Sequence, residues 1–196
     1  MKKITFSIIA LVLILVTAVS CTNQSGNEKA DDNTTTVPDK EVSVPNETNA
    51  AKDFSIAPIV ANYLKLENAL AADDGQGASG AGKQLAATLQ NMDMNAIPAD
   101  KMKQYMEIAA DTRENAEHIR DNAGKIAHQR EHLEFLSKDV LDLIALLGAP
   151  QKLYQIHCPM FNNGKGADWI SDSKEINNPY YGSQMPACGE IVKELK

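Results

Sequence analysis

Residues 98–126 read PADKMKQYMEIAADTRENAEHIRDNAGKI, and their spacing decides the fold class. Met102, Tyr105, Ala109, Thr112, Ala116, Ile119, Ala123 and Ile126 recur at alternating intervals of three and four. That period, held for more than three heptads, predicts a helix with one seam turned toward a bundle core. Pro98 opens the segment and Gly124 is expected to cap its end. Upstream, Ile56, Ile59, Val60, Tyr63, Leu64, Leu66 and Leu70 share one broad helical face, with Pro58 in the first turn and Asp73-Asp74-Gly75 as the stop. A shorter segment places Ala78, Ala81, Leu85, Leu89 and Met92 at helical spacing, and its four glycines at positions 75, 77, 80 and 82 read as punctuation. A fourth helix runs from near Ile126 to Leu147, with Leu133, Leu136, Val140, Leu143, Ile144 and Leu147 inward and Gly148 and Pro150 as its stop.

Four amphipathic helices on short turns predict a mainly α protein, an up-down four-helix bundle over residues 54–149. The last stretch, residues 150–196, differs in kind. It holds Cys158 and Cys188, the only tryptophan, and three of the five tyrosines, with turn residues at close intervals. The apolar runs Leu153–His157 and Ile191–Leu195 bracket it and are expected to pair. A small lobe follows, a short β-hairpin with irregular loops, packed on the bundle as one domain.

The N-terminus sets the expected compartment. A basic start, an apolar run from Ile4 to Val19 and a small-residue finish before Cys21 fit a removable signal peptide over residues 1–20. Ala18-Val19-Ser20-Cys21 is similar to a bacterial lipobox, which makes Cys21 the lipidation site and the membrane anchor. Residues 21–53 are polar, without apolar period, and predict a disordered tether spanning about 30 Å as a random coil. The folded part is then exported and held on the periplasmic side of a cell envelope. Cleavage before Cys21 would also remove Lys2 and Lys3, deepening the formal net charge from −7 to −9. So acidic a chain has no electrostatic attraction for nucleic acid.

Once Cys21 is assigned to the lipid, Cys158 and Cys188 form the remaining pair. They are either a structural disulfide in an oxidising compartment or two thiolates of a metal site. Met160 and Met185 add a thioether beside each cysteine, and His157 adds an imidazole, although strand alternation points it away from Cys158. Soft sulfur donors select Cu(I) or Ag(I) over hard cations. Phe161, Trp169, Tyr180 and Tyr181 read as a small satellite core.

Other motifs carry less. His128-Gln129-Arg130-Glu131-His132 matches the H-x-x-E-H pattern of inverted zinc peptidases. It lies in a charged stretch that reads as a solvated face, with no third ligand downstream. Met92, Met94, Met102 and Met106 read as core filler rather than a thioether site. No catalytic triad order or phosphate-binding loop is present, and no enzymatic activity is expected.

The series Tyr154, Cys158-Pro159-Met160, Gly166-Ala167-Asp168-Trp169-Ile170-Ser171, Ile176, Asn178-Pro179-Tyr180-Tyr181-Gly182, Met185, Cys188-Gly189 resembles a bacterial family catalogued as domain of unknown function 3347. Gln129-Arg130 and Phe135-Leu136-Ser137 resemble the last-helix motif of the same family. The resemblance covers residues 54–196. It implies an exported lipoprotein with a heavy-metal role, related to domains fused to periplasmic adaptors of copper and silver efflux systems. Cys158, Met160, Met185 and Cys188 match its sulfur positions. A metal-efflux adaptor or another envelope protein is the partner it implies, and no segment resembling an adaptor occurs among these residues.

Overall fold

In a computed structural model, which describes residues 54–196, four helices follow one another: α1 (Ala57–Ala71), α2 (Gly75–Gln90), α3 (Met102–Asp121) and α4 (Ile126–Leu147). The leader, the tether and Cys21 lie outside the described residues. No described helix is long and apolar enough to cross a membrane. Each helix packs on the next in sequence, and α1 also meets α4, as the seam spacing predicts. All seven residues assigned to the inward face of α1 are buried, and Tyr105, Thr112, Ala116 and Ile119 line the buried side of α3. α4 has the expected bounds.

Two helix details differ from expectation. The glycines of residues 75–82 lie inside α2 rather than breaking it. Asp74 caps the helix by accepting from the Gly77 N–H at 2.8 Å, and Gly75 and Gly82 admit a neighbouring segment. A Cβ on Gly82 would lie 2.7 Å from the Ala116 carbonyl oxygen, and one on Gly75 equally near that of Ala123. The helical cost of glycine, about 1 kcal/mol, is offset at Gly82 by close approach of α2 to α3. Nor does Gly124 cap α3. The helix ends at Asn122, whose side chain donates to the His118 carbonyl at 2.9 Å.

The C-terminal stretch is a three-stranded antiparallel sheet rather than a lone hairpin. β1 (Leu153–Cys158) is central, between β2 (Ala167–Ser171) and β3 (Glu190–Leu195). The two bracketing apolar runs do pair, as β1 with β3. β2, from Ala-Asp-Trp-Ile-Ser, is the unexpected strand, and it lies on α4 with contact to α1. The β1–β2 connection carries Asn162, Asn163 and Gly164 in left-handed conformation, which suits asparagine and glycine. Asn162 donates to the Glu134 carboxylate of α4 at 3.1 Å.

Sheet and bundle share one continuous apolar core, and buried polar groups fix how they meet. The Tyr63 hydroxyl shares a 2.7 Å hydrogen bond with Ser137 and accepts from the Ile170 N–H at 3.2 Å, joining α1, α4 and β2. Stretch 128–132 is therefore only half solvated, because Gln129 and Arg130 turn inward. Gln129 donates to the carbonyls of Gly75 at 3.0 Å and Ile119 at 2.9 Å, a second donor beside the Asn122 N–H that reaches the Ile119 carbonyl at 3.4 Å.

Glu67 of α1 is a buried carboxyl, 2% exposed. Burial, then the nearby Asp172 carboxylate, pushes its pKa well above the usual range. Between the unfolded and folded pKa values the folded chain holds the extra proton, so stability falls as pH rises through that window. Asp139, raised to about 6 chiefly by burial, acts in the same direction. Glu67→Gln is expected to flatten the decline in the denaturation midpoint between pH 4 and 8 and to be the more stable protein at pH 8. Parallel pH profiles for the two proteins would contradict a neutral Glu67.

Candidate metal centre

Cys158 ends β1 and is fully buried; Cys188 precedes β3 and is half-buried. The β1–β3 register pairs His157 with Glu190, so Cys158, which follows the one, and Cys188, which precedes the other, reach the same end of the sheet. There the two Sγ atoms lie 3.2 Å apart, both as free thiols.

Asn178 holds the surrounding turns. Fully buried, it uses every polar group it has. Its N–H donates to the Pro186 carbonyl at 2.8 Å and its amide to the Cys188 carbonyl at 2.6 Å. Its side-chain oxygen accepts from the N–H groups of Tyr180 at 2.8 Å and Tyr181 at 3.1 Å, and its carbonyl from Gly182 at 2.9 Å. The Asn-Pro-Tyr-Tyr-Gly turn is thereby fastened to the Met-Pro-Ala-Cys turn. Tyr181 then donates to the Met160 carbonyl at 2.9 Å, drawing in the Cys-Pro-Met turn. Phe161 stacks on Tyr180 at 4.3 Å between centroids, and Tyr180 meets Trp169 edge-on at 6.1 Å. The four aromatics pack together as expected, but as part of the main core rather than as a separate satellite. Nothing in the spacing of residues 158–188 marked Asn178 as its hub; the clue was an asparagine before Pro179 in a stretch dense with turns.

Of the five residues read as ligands, the fold brings the two cysteine sulfurs together, with the two methionines close to them in the chain. Met160 is exposed, two positions after Cys158, and Met185 is half-buried; the Cys188 N–H returns to the Met185 carbonyl at 3.2 Å. His157 leaves the set. Strand alternation turns it to the opposite face, where its Nδ1 is 2.6 Å from Asp168 Oδ1 and Gly166 packs against its ring. It borders a shallow pocket with Glu134, Phe135, Lys138 and Leu141.

The Cys188 thiol is held protonated above its ordinary range, first by its hydrogen bond with Cys158 and then by burial. A metal must displace that proton, so binding strengthens as pH rises. With sulfurs 3.2 Å apart, an ion about 2.3 Å from each, the zinc–thiolate distance, would see them at roughly a right angle. The pair must part slightly to hold an ion, or close to about 2.05 Å to form a disulfide. The half-exposed Cys188 and exposed Met160 leave this end of the sheet open to an arriving ion. Among the described residues no three His, Cys, Asp or Glu side chains form a group that could hold a metal ion.

Residues 59–152 match the model of a family described as protein of unknown function (DUF3347). Residues 59–152 belong to that family. The DUF3347 match covers the bundle from the first turns of α1 and stops one residue before β1, so the sheet and both cysteines lie beyond it. Gln129, Arg130 and Ser137, which join helices and sheet, lie inside it. No curated protein and no solved structure matches the chain.

Proposed function

We propose that this chain is an envelope lipoprotein that binds a soft metal ion, Cu(I) foremost, through Cys158 and Cys188 with Met160 and Met185 as thioether donors. The observation that carries it is two free thiols 3.2 Å apart at an open end of the sheet, with a methionine beside each. Such a donor set favours a two- to four-coordinate soft ion and offers little to Mg(II) or Ca(II). Buffering, or delivery to an efflux adaptor, is the task that fits the Cys21 anchor and its tether. The chemistry asked of the protein is capture and release, and no catalytic step is part of it.

The test is titration of the reduced protein with Cu(I) against a competing chelator. Wild type is expected to take up one equivalent, with affinity rising between pH 6 and 8. Cys158→Ser with Cys188→Ser is expected to lose at least a hundredfold in affinity, and Met160→Leu with Met185→Leu less. Retained copper affinity in the cysteine variant sinks this reading. A second reading draws on the same sulfur proximity: a Cys158–Cys188 disulfide stapling a module that docks on an envelope partner. Closing a loop of about thirty residues would stabilise the fold by roughly 3–4 kcal/mol on the chain-entropy model. Thiol counts on protein isolated from its compartment separate the two, with no free thiols and no metal uptake after mild reduction favouring the staple.

A further inference from the structure

The two thiols at the end of the sheet are unequal. Cys158 closes β1 with its backbone paired to Ala167 of β2, and its side chain is fully buried. Cys188 lies two residues before β3, outside any strand, and is half-buried. Pro159, Met160, Pro186 and Ala187, the chain neighbours of the pair, are exposed and uncharged. One sulfur is therefore open to a reactant from outside and the other is closed to it. The 3.2 Å between them places the buried sulfur beside whatever becomes attached to the open one.

The backbone around Cys188 is fastened independently of its side chain. Its carbonyl accepts the Asn178 amide at 2.6 Å, and its N–H donates to the Met185 carbonyl at 3.2 Å. The turn therefore need not unfold for the sulfur to change partners. Bringing the sulfurs from 3.2 Å to the disulfide length of about 2.05 Å asks for a shift that rotation of the half-buried side chain can supply. The thiol of Cys188 ionises above its ordinary range, first through its hydrogen bond with Cys158 and then through burial. Such a thiol attacks slowly near neutral pH, so the favoured co-reactant is a disulfide whose own thiol leaves readily.

We propose that the pair undergoes reversible thiol–disulfide exchange with an external disulfide, Cys188 being the sulfur that exchanges and Cys158 the one that resolves. Cys188 gives its proton to water and its thiolate attacks one sulfur of the external disulfide. That S–S bond breaks, a mixed disulfide forms on Cys188, and one thiolate leaves. Cys158 then loses its proton and attacks Cys188 Sγ, forming the Cys158–Cys188 bond and expelling the second thiolate. Two thiols of the chain are oxidised while one disulfide is reduced to two thiols, and an external dithiol drives the same steps backwards. A permanent staple has no need of an open sulfur beside a closed one. Together with the copper site proposed above, on which this last step rests, exchange becomes the gate of that site. The thiolate is the form that binds metal, and the oxidised pair has none to offer.

The test uses the full chain carrying Cys21→Ser, reduced and free of metal, so that only the pair reports. The probe is dithiobis(nitrobenzoate), an aromatic disulfide whose thiolate leaves readily and is coloured. The parent chain is expected to release two thiolates, keep no adduct, and end with an internal disulfide that dithiothreitol reopens. Cys158→Ser is expected to release one thiolate and keep the aromatic thiol on Cys188. Cys188→Ser, left with the buried sulfur, is expected to react roughly tenfold or more slowly while folded. In guanidinium the two single variants are expected to react alike, and their thermal transitions show whether each is folded without it. Equal rates for the two folded variants overturn the assigned roles, and an adduct that persists on the parent chain overturns resolution by Cys158. The gate is read separately, by Cu(I) titration of oxidised and reduced parent chain against one chelator. Uptake is expected to be lost on oxidation and regained on reduction, and equal uptake by both forms overturns the gate. A reduced chain that exchanges as described but takes up no copper overturns the copper site and its gate, while the exchange stands.

Discussion

Arg130→Met is expected to lower the stability of the folded unit by about 3 kcal/mol, because truncation abandons several buried partners together. Arg130 is 7% exposed and donates Nε to the Pro179 carbonyl at 2.8 Å. Its Nη2 donates to the Leu70 carbonyl at 2.8 Å and to Asp73 Oδ1 at 2.6 Å. One guanidinium thus joins the C-terminal end of α1, the start of α4 and the turn that leads to the cysteines. Asp73 in turn accepts from the Ser183 N–H at 3.0 Å. Its pKa is held far below the usual range by the Ser183 side chain first, then Arg130 and the Ser183 backbone. That contribution is present above the unfolded pKa of Asp73 and fades as pH falls through the folded one. Methionine fills much of the volume and supplies none of the donors. For a domain of this size the loss corresponds to a fall in Tm of roughly 6–12 °C. Hydrogen exchange is expected to speed up most in the 178–184 turn. Arg130→Lys is expected to recover little, since one ammonium cannot reproduce the fork. A melting point within a degree of wild type would show that the turn is held by the aromatic core alone.

How far the sequence could reach depended on whether a signal was periodic. Ile59, Val60, Tyr63, Leu66 and Leu70 lie on one face because a helix turns every 3.6 residues, and that spacing is written in the chain. β2 has no such mark. Ala167–Ser171 is five residues with Trp169, Ile170 and Ser171 all buried, so no alternation announces it. Gly82 was equally opaque, since a glycine that breaks a helix and one that admits a neighbouring helix look alike in sequence. The sulfur residues were legible by type and their approach by strand pairing. Asn178 was not, because its role depends on partners that only the folded chain brings near. Arg130 hid in plain sight: a charged residue in a charged stretch, turned inward by the carbonyls of Leu70 and Pro179.

Trp169→Ala is expected to have the largest effect on stability, a loss of about 3–5 kcal/mol, typical of emptying a buried aromatic site. Trp169 is fully buried, pairs across the sheet with Ile156 and meets the Tyr180 ring. Its indole also bears on the cysteines without touching a ligand position. A Cβ on Gly189 would lie 2.5 Å from the far edge of that indole, so the backbone just after Cys188 is laid against the ring. With the ring gone, the entry to β3 loses the surface that sets its distance from β1. Copper affinity is then expected to fall at least tenfold although every sulfur remains, while Trp169→Phe, which keeps part of the surface, is expected to lose less on both counts. The sole tryptophan reports its own environment: wild-type emission should be blue-shifted and should move red on unfolding. Trp169→Ala retaining full Cu(I) affinity below its melting point would mean that strand pairing alone places the two thiols. Joint loss of stability and affinity would instead make the aromatic core part of the proposed metal centre, because a 3.2 Å sulfur pair survives only while both strand ends are held.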